Sequence, residues 1–280
     1  MFRVVSAFVA VAVVVAALAL APRAIAQSQE RANRMISLLE SGQPAIGVWT
    51  GATAAPRIAK VLATSDADFI VADIEHEVYD FPTLRRFLLE IPDFSQRFRA
   101  TPRAAPAVLV KIATRATWDP RYEIAETLKV GPAAGVWIPF VESRADLERA
   151  VSAVRNAESS ALGGLNIPRE RRDPWPLNPK GEFVVVAMIE SAEGVAHARE
   201  IIETPGVTAI QPVHLSEADT ATIVRLCRER NVVLATDAGP KDIAARVAEG
   251  YRMISVGWDF GLLRQTLGDT IGGMRGAIKR

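Results

Sequence analysis

Polar and apolar positions alternate along this chain in a regular beat. Short, β-branched apolar runs recur: "AIGVWT" (45–50), "FIVADIE" (69–75), "AVLVKIA" (107–113), "GVWIPFV" (135–141), "FVVVAMIE" (183–190), "TAIQPVH" (208–214), "VVLATD" (232–237) and "RMISVGW" (252–258). Between them lie longer stretches with apolar residues three and four apart, "APRIAKVLATS", "DFPTLRRFLLE", "PRYEIAETLKV", "ESRADLERAVSAVRNAE", "SAEGVAHAREIIET", "EADTATIVRLCRER" and "GPKDIAARVAEG". The first kind predicts strands buried on both faces, as parallel strands covered by helices are. The second predicts amphipathic helices. Upstream, "ERANRMISLLESG" predicts one more helix, closed by Gly42. Eight strand–helix beats predict an α/β fold, a single (β/α)8 TIM barrel within residues 27–280. An open, doubly wound sheet is the alternative.

Two segments break the beat. Residues 91–106, "IPDFSQRFRATPRAAP", predict a Pro- and Arg-rich connection. Residues 158–182, "ESSALGGLNIPRERRDPWPLNPKGE", are long, basic and rich in Pro and Gly. A loop of that length in a compact domain is usually a lid, an interface or a disordered piece.

The N-terminus changes the picture. Arg3, the apolar run Val4 to Ala21 and the small-residue site Ala24-Ile25-Ala26 before Gln27 have the layout of a signal peptide over residues 1–26. The expectation is an exported, periplasmic protein; an uncleaved membrane anchor is the alternative. Cys227 is the only cysteine, so no internal disulfide can form and stability must rest on the packed core. With 33 basic against 32 acidic residues, nothing points to nucleic acid.

In such a barrel the active site forms at the C-terminal ends of the strands. The polar residues there are Asp73, Glu75 and His76 after the second strand, Lys111 and Arg115 after the third, and Glu190 after the fifth. Gln211 and His214 end the sixth, Asp237 the seventh and Asp259 the eighth. Each has a structural reading. Carboxylates favour the positive end of a helix dipole, and Asp80, with Pro82 close behind, reads as an N-cap. Glu190 could cap the helix after it, Asp237 could start a turn and Asp259 the last helix. His197, mid-helix, reads as a surface residue. Together on one face, acids, bases and imidazoles point to a site.

These residues also carry a resemblance. The stretches "GVWTG", "DFIVADIEHEVYDFPTL", "VLVKIA", "GPAAGVWIPFVESRADLERAVSAVR", "AMIESAEGV" and "VGWDFGLLR" are similar to the HpcH/HpaI aldolases, from about residue 45 to 265. The resemblance implies a (β/α)8 barrel, often assembled into homo-oligomers through exchanged C-terminal helices. It implies a metal-dependent carbon–carbon lyase in which the ion holds pyruvate and a strand-three cation supports the carboxylate. Carried over residue by residue, Glu190 matches the metal-binding Glu, His76 the acid/base and Asp73 its partner, with Glu75 in the same motif.

The chain also departs from the family. The usual "GPxDLS" reads "QPVHLS", which places His214 at the ligand Asp and Gln211 at the Gly. Lys111 stands for an Arg and Met188 for a Gln. Nitrogen in place of carboxylate shifts the expected preference from Mg2+ toward Mn2+, Co2+, Fe2+ or Zn2+. Lysine keeps a cation but loses the planar fork that grips a carboxylate, a task Arg115 could take over. Lys111, Arg115 and Gln211 are the expected contacts of a small oxo-acid substrate. Two other functions stay open: a barrel that binds an oxo-acid in the periplasm without turning it over, and an aldolase using Lys111 as a Schiff base.

Overall fold

The computed structural model describes residues 31–51, 53–99, 104–157 and 168–278. The expected signal segment lies outside them. Eight parallel strands close in sequence order into a barrel: β1 (Ala45–Thr50), β2 (Phe69–Asp73), β3 (Ala107–Lys111), β4 (Gly135–Ile138), β5 (Val184–Ile189), β6 (Ala209–Pro212), β7 (Val233–Asp237) and β8 (Tyr251–Trp258). Helices lie between and after them: α1 (Arg34–Glu40), α2 (Pro56–Thr64), α3 (Phe81–Phe98), α4 (Arg121–Val130), α5 (Arg144–Asn156), α6 (Ala192–Ala196), α7 (Ala198–Ile202), α8 (Glu217–Arg230), α9 (Ile243–Ala248) and α10 (Asp259–Ile278). The expected single barrel is the observed fold; the open sheet is excluded.

Period two along each strand divides its side chains between two cores. Ile70, Ala72, Val108, Val110, Val136 and Val185 face the helices and pack in one apolar cluster with Leu84, Phe87 and Leu88 of α3. Residues of the other parity, among them Trp49, Phe69, Val71, Leu109, Trp137 and Val186, fill the lumen. Each such side chain, fully buried, contributes about 1.5–3 kcal/mol. Gly47 is required by this filling: a Cβ there would sit 2.3 Å from the Phe69 ring.

The foot of the barrel is closed by α1, whose Met35 and Ile36 are fully buried against the lumen cluster. Asn33 caps this helix, its side chain accepting from the Met35 N–H. Glu182, also fully buried, clamps the same corner. Its carboxylate accepts the N–H groups of Ala32 (3.3 Å) and Asn33 (3.0 Å) and pairs with Arg171, while Arg31 bonds the Gly181 carbonyl at 2.8 Å. The described end of the long insertion, residues 168–182, is thus stitched to the N-terminal face. It closes no lid over the strand ends.

Three expectations are corrected. Residues 91–98 are not a connection: α3 runs through Pro92 to Phe98. Ile91 and Ser95 continue its buried face, and Phe94 and Phe98 pair at 5.8 Å, which offsets the hydrogen bond that proline cannot donate. The helix expected over 191–204 is two, α6 and α7, broken at His197. That imidazole is no surface ornament, since its Nδ1 lies 3.0 Å from the Glu142 carbonyl oxygen. Asp80 does cap α3, accepting the Thr83 N–H at 2.8 Å. Among the described residues no helix is long and apolar enough to cross a membrane.

Candidate active site

Asp73 is the last residue of β2 and is fully buried. Its Oδ1 accepts the backbone N–H groups of Glu75 (2.8 Å) and His76 (2.9 Å), which bends the chain into a tight turn above the strand. The turn carries the His76 ring back over the strand end, where Nδ1 meets Asp73 Oδ2 at 2.9 Å. Glu77 packs against the backbone of Gly51, where a Cβ would lie 2.1 Å from its Cγ. Glycine there leaves the room that seats this turn.

Lys111 pairs with Asp73 in the sheet register and points into the lumen at 5% exposure. Its Nζ lies 2.6 Å from Glu75 Oε2, a close ion pair without hydrogen-bond alignment, and 3.6 Å from Asp73 Oδ2. It also lies 3.5 Å from His76 Nδ1, so ammonium and carboxylate compete for that nitrogen. The Asp73 contact is shorter and demands a proton on Nδ1. The network therefore assigns Nε2 as the acceptor, 3.8 Å from Glu75 Oε2, on a side chain 59% exposed at the mouth.

Glu190 follows β5 and accepts the Phe140 N–H on Oε2 at 2.9 Å. Burial pushes its carboxyl above the ordinary range, partly offset by that N–H and by the Lys111 charge, while Glu75 pushes it further up. The field of His214 also reaches it. His214 itself is exposed, in a left-handed backbone conformation with φ 54°.

Asp73, Glu75, His76 and Lys111 are thus in direct contact, with Glu190 and His214 within electrostatic reach. Two expected residues stand apart. Arg115 lies over the Phe140 ring, 3.8 Å from its centroid, at the exposed edge of the mouth. Gln211 is buried in the lumen, its Oε1 accepting the Trp137 Nε1–H at 2.9 Å. Trp137, Phe140 and Trp49 were not anticipated. The sequence signal was available, because Trp49 and Trp137 share strand parity with the lumen-facing residues around them.

The family profile described as HpcH/HpaI aldolase/citrate lyase matches residues 45–265. A hydroxypyruvate/pyruvate aldolase of Delftia acidovorans is 29% identical over 261 residues, covering 84% of this chain and 89% of that protein. A hydroxypyruvate/pyruvate aldolase of Chromohalobacter salexigens is 27% identical over 259 residues, covering 84% of this chain and 95% of that protein. The crystal structure of a family protein from Burkholderia cenocepacia J2315 has a TM-score of 0.68 at 21% identity, covering 87% of this chain and 99% of that one. At that identity the structural likeness speaks for the fold alone. The profile match takes in all eight strands and every residue of the cluster, and the chain belongs to the HpcH/HpaI aldolase/citrate lyase family.

Proposed function

We propose that this protein is a carbon–carbon lyase of the pyruvate-aldolase type, cleaving a hydroxy-oxo-acid to pyruvate and an aldehyde. The observation that carries the reading is the Asp73–His76 hydrogen bond set beside the Lys111 ammonium. Asp73 orients the imidazole, and Nε2 takes the proton of the substrate's C4 hydroxyl. The O–H electrons become the aldehyde C=O as the C3–C4 bond breaks, and that bond's electrons pass to an enolate. Lys111 supplies positive charge for the carboxylate end, and Arg115 stays at the rim over Phe140. His76 then returns the proton to C3, giving pyruvate.

A divalent cation would have two protein donors here. Glu190 keeps Oε1 for it while Phe140 holds Oε2, and His214 offers an imidazole. Among the described residues no three His, Cys, Asp or Glu side chains form a metal-holding group. Substrate and water would complete the shell. One carboxylate and one nitrogen suit Mn2+, Co2+, Fe2+ or Zn2+ better than Mg2+. When bound, the ion supplies Lewis-acid polarisation of the keto oxygen.

The Schiff-base reading is opposed by the engagement of Lys111 Nζ with two carboxylates, which leaves no free amine to attack a carbonyl. The binding-protein reading makes no use of an imidazole oriented with its acceptor toward the mouth. Exchange of pyruvate methyl protons for deuterium, followed by NMR, tests the chemistry without knowledge of the aldehyde. Exchange that is absent with each of the four ions above, and with Mg2+, overturns it.

Assembly into a homo-oligomer is part of the proposal. What supports it is α10, whose Phe260, Leu263, Leu267, Ile271, Met274 and Ile278 are all exposed at spacings of three and four. Such a stripe seeks a partner surface. Light scattering of the full chain against Leu267→Glu/Ile271→Glu checks it. Export to the periplasm rests on residues 1–26, and the N-terminal sequence of the purified protein tests it.

A further inference from the structure

Across the mouth from Lys111 stands a carboxylate that the chemistry above leaves unused. Asp237 ends β7, four strands around the closed barrel from β3 and therefore on the facing wall. It shares parity with Ala235, a lumen residue, so its side chain turns inward. Its Oδ1 accepts the Trp49 Nε1–H at 2.9 Å and the hydroxyl of Ser255. An indole N–H can only donate, so this contact fixes which oxygen faces the wall. Asp237 is nevertheless exposed, and among the described residues it forms no ion pair. Beside it Trp258, half-buried, stacks on Trp49 with centroids 5.7 Å apart and planes 24° apart.

We propose that Asp237 determines specificity for the far end of the substrate, selecting a 2-oxo acid that ends in an uncharged hydroxyl over one that ends in a second carboxylate. The inference rests on the reading that the mouth takes a 2-oxo acid with its carboxylate toward Lys111. The two walls then differ: on the β3 side the Lys111 ammonium is shared with Asp73 and Glu75, while on the β7 side the Asp237 carboxylate stands without an ion pair among the described residues. A terminal hydroxyl donates to Oδ2 in a charge-assisted bond while the carbon chain lies along the Trp258 face. A terminal carboxylate in the same place meets a like charge that, among the described residues, no cation pairs with.

The test is binding, read by tryptophan fluorescence and by calorimetry. The probes are 5-hydroxy-2-oxopentanoate and 2-oxoglutarate, equal in length and both lacking the hydroxyl that cleavage needs. Wild-type protein should bind the first about tenfold more tightly or better. Asp237→Asn keeps an acceptor for Trp49 and Ser255 but removes the charge, and should bring the two affinities within about threefold by strengthening 2-oxoglutarate binding. Equal or inverted wild-type affinities, binding of neither probe, or a ratio that survives Asp237→Asn overturns the inference. A protein that shows the ratio yet releases no pyruvate keeps this inference and loses the lyase reading. One that cleaves its substrate without the ratio does the reverse.

Discussion

Replacing Asp73 by asparagine tests the site at its most constrained atom. The carboxylate makes three hydrogen bonds, to the N–H groups of Glu75 and His76 and to His76 Nδ1, and lies 3.6 Å from Lys111. Asparagine keeps one oxygen, enough for the two backbone N–H groups and therefore for the turn. Its NH2 would then face both Nδ1–H and an ammonium, donors opposed to donors. The conflict is relieved when His76 moves its proton to Nε2, which turns the lone pair inward, away from the mouth. A charge-assisted bond worth about 1.5–3 kcal/mol is lost. In a barrel of this size that lowers the melting temperature by about 3–12 °C. The rate falls further than the stability does, because the wrong tautomer removes general base catalysis, about 10²–10⁴-fold. Deuterium exchange of pyruvate measures the first effect, thermal melts the second and 15N NMR of the imidazole the tautomer. An Asp73→Asn variant that exchanges within about threefold of wild type would refute the assignment of His76 as base.

Three further outcomes are expected. His76→Ala should lower kcat by roughly a hundredfold or more while oxo-acid binding by calorimetry changes little, since its proton transfer belongs to the transition state. His214→Asp should move metal preference toward Mg2+, read as the order in which ions restore exchange after chelation; an unchanged order removes His214 from the ligand set. Glu190 is held above the ordinary carboxyl range by burial, so the stability linked to it is full in acid and is lost as pH rises through its raised native value. Chelated Glu190→Gln protein should therefore melt above chelated wild type near neutrality, with the gap closing in acid.

Eight strands were legible because each is a short run apolar on both faces, a pattern that needs only period two and a change of rhythm on either side. What misled was local chemistry overruled by packing. Pro92 reads as a helix end, yet the buried Ile91 and Ser95 carry α3 past it. The break at His197 was not read from the helical pattern, and the carbonyl that its imidazole meets there is 55 residues away in the chain. At the site, Asp73, Glu75, His76 and Lys111 could be grouped from strand ends alone. The depth of Gln211 could not. Its contact with Trp137 depends on register across β5, where Met188 is its partner, and no single strand encodes register.

The clamp at the foot, where Glu182 ties Arg171 to the backbone of Ala32 and Asn33, has a practical consequence for engineering. It gives the barrel two ends that answer to different demands. Cuts, fusions or affinity handles placed near residues 168–182 load a corner whose failure would show as a lower melting temperature, with the chemistry intact in whatever fraction stays folded. Changes at the other end would show first as altered turnover, out of proportion to any shift in melting. A library of variants sorted on those two axes would recover the polarity of the barrel without a structure.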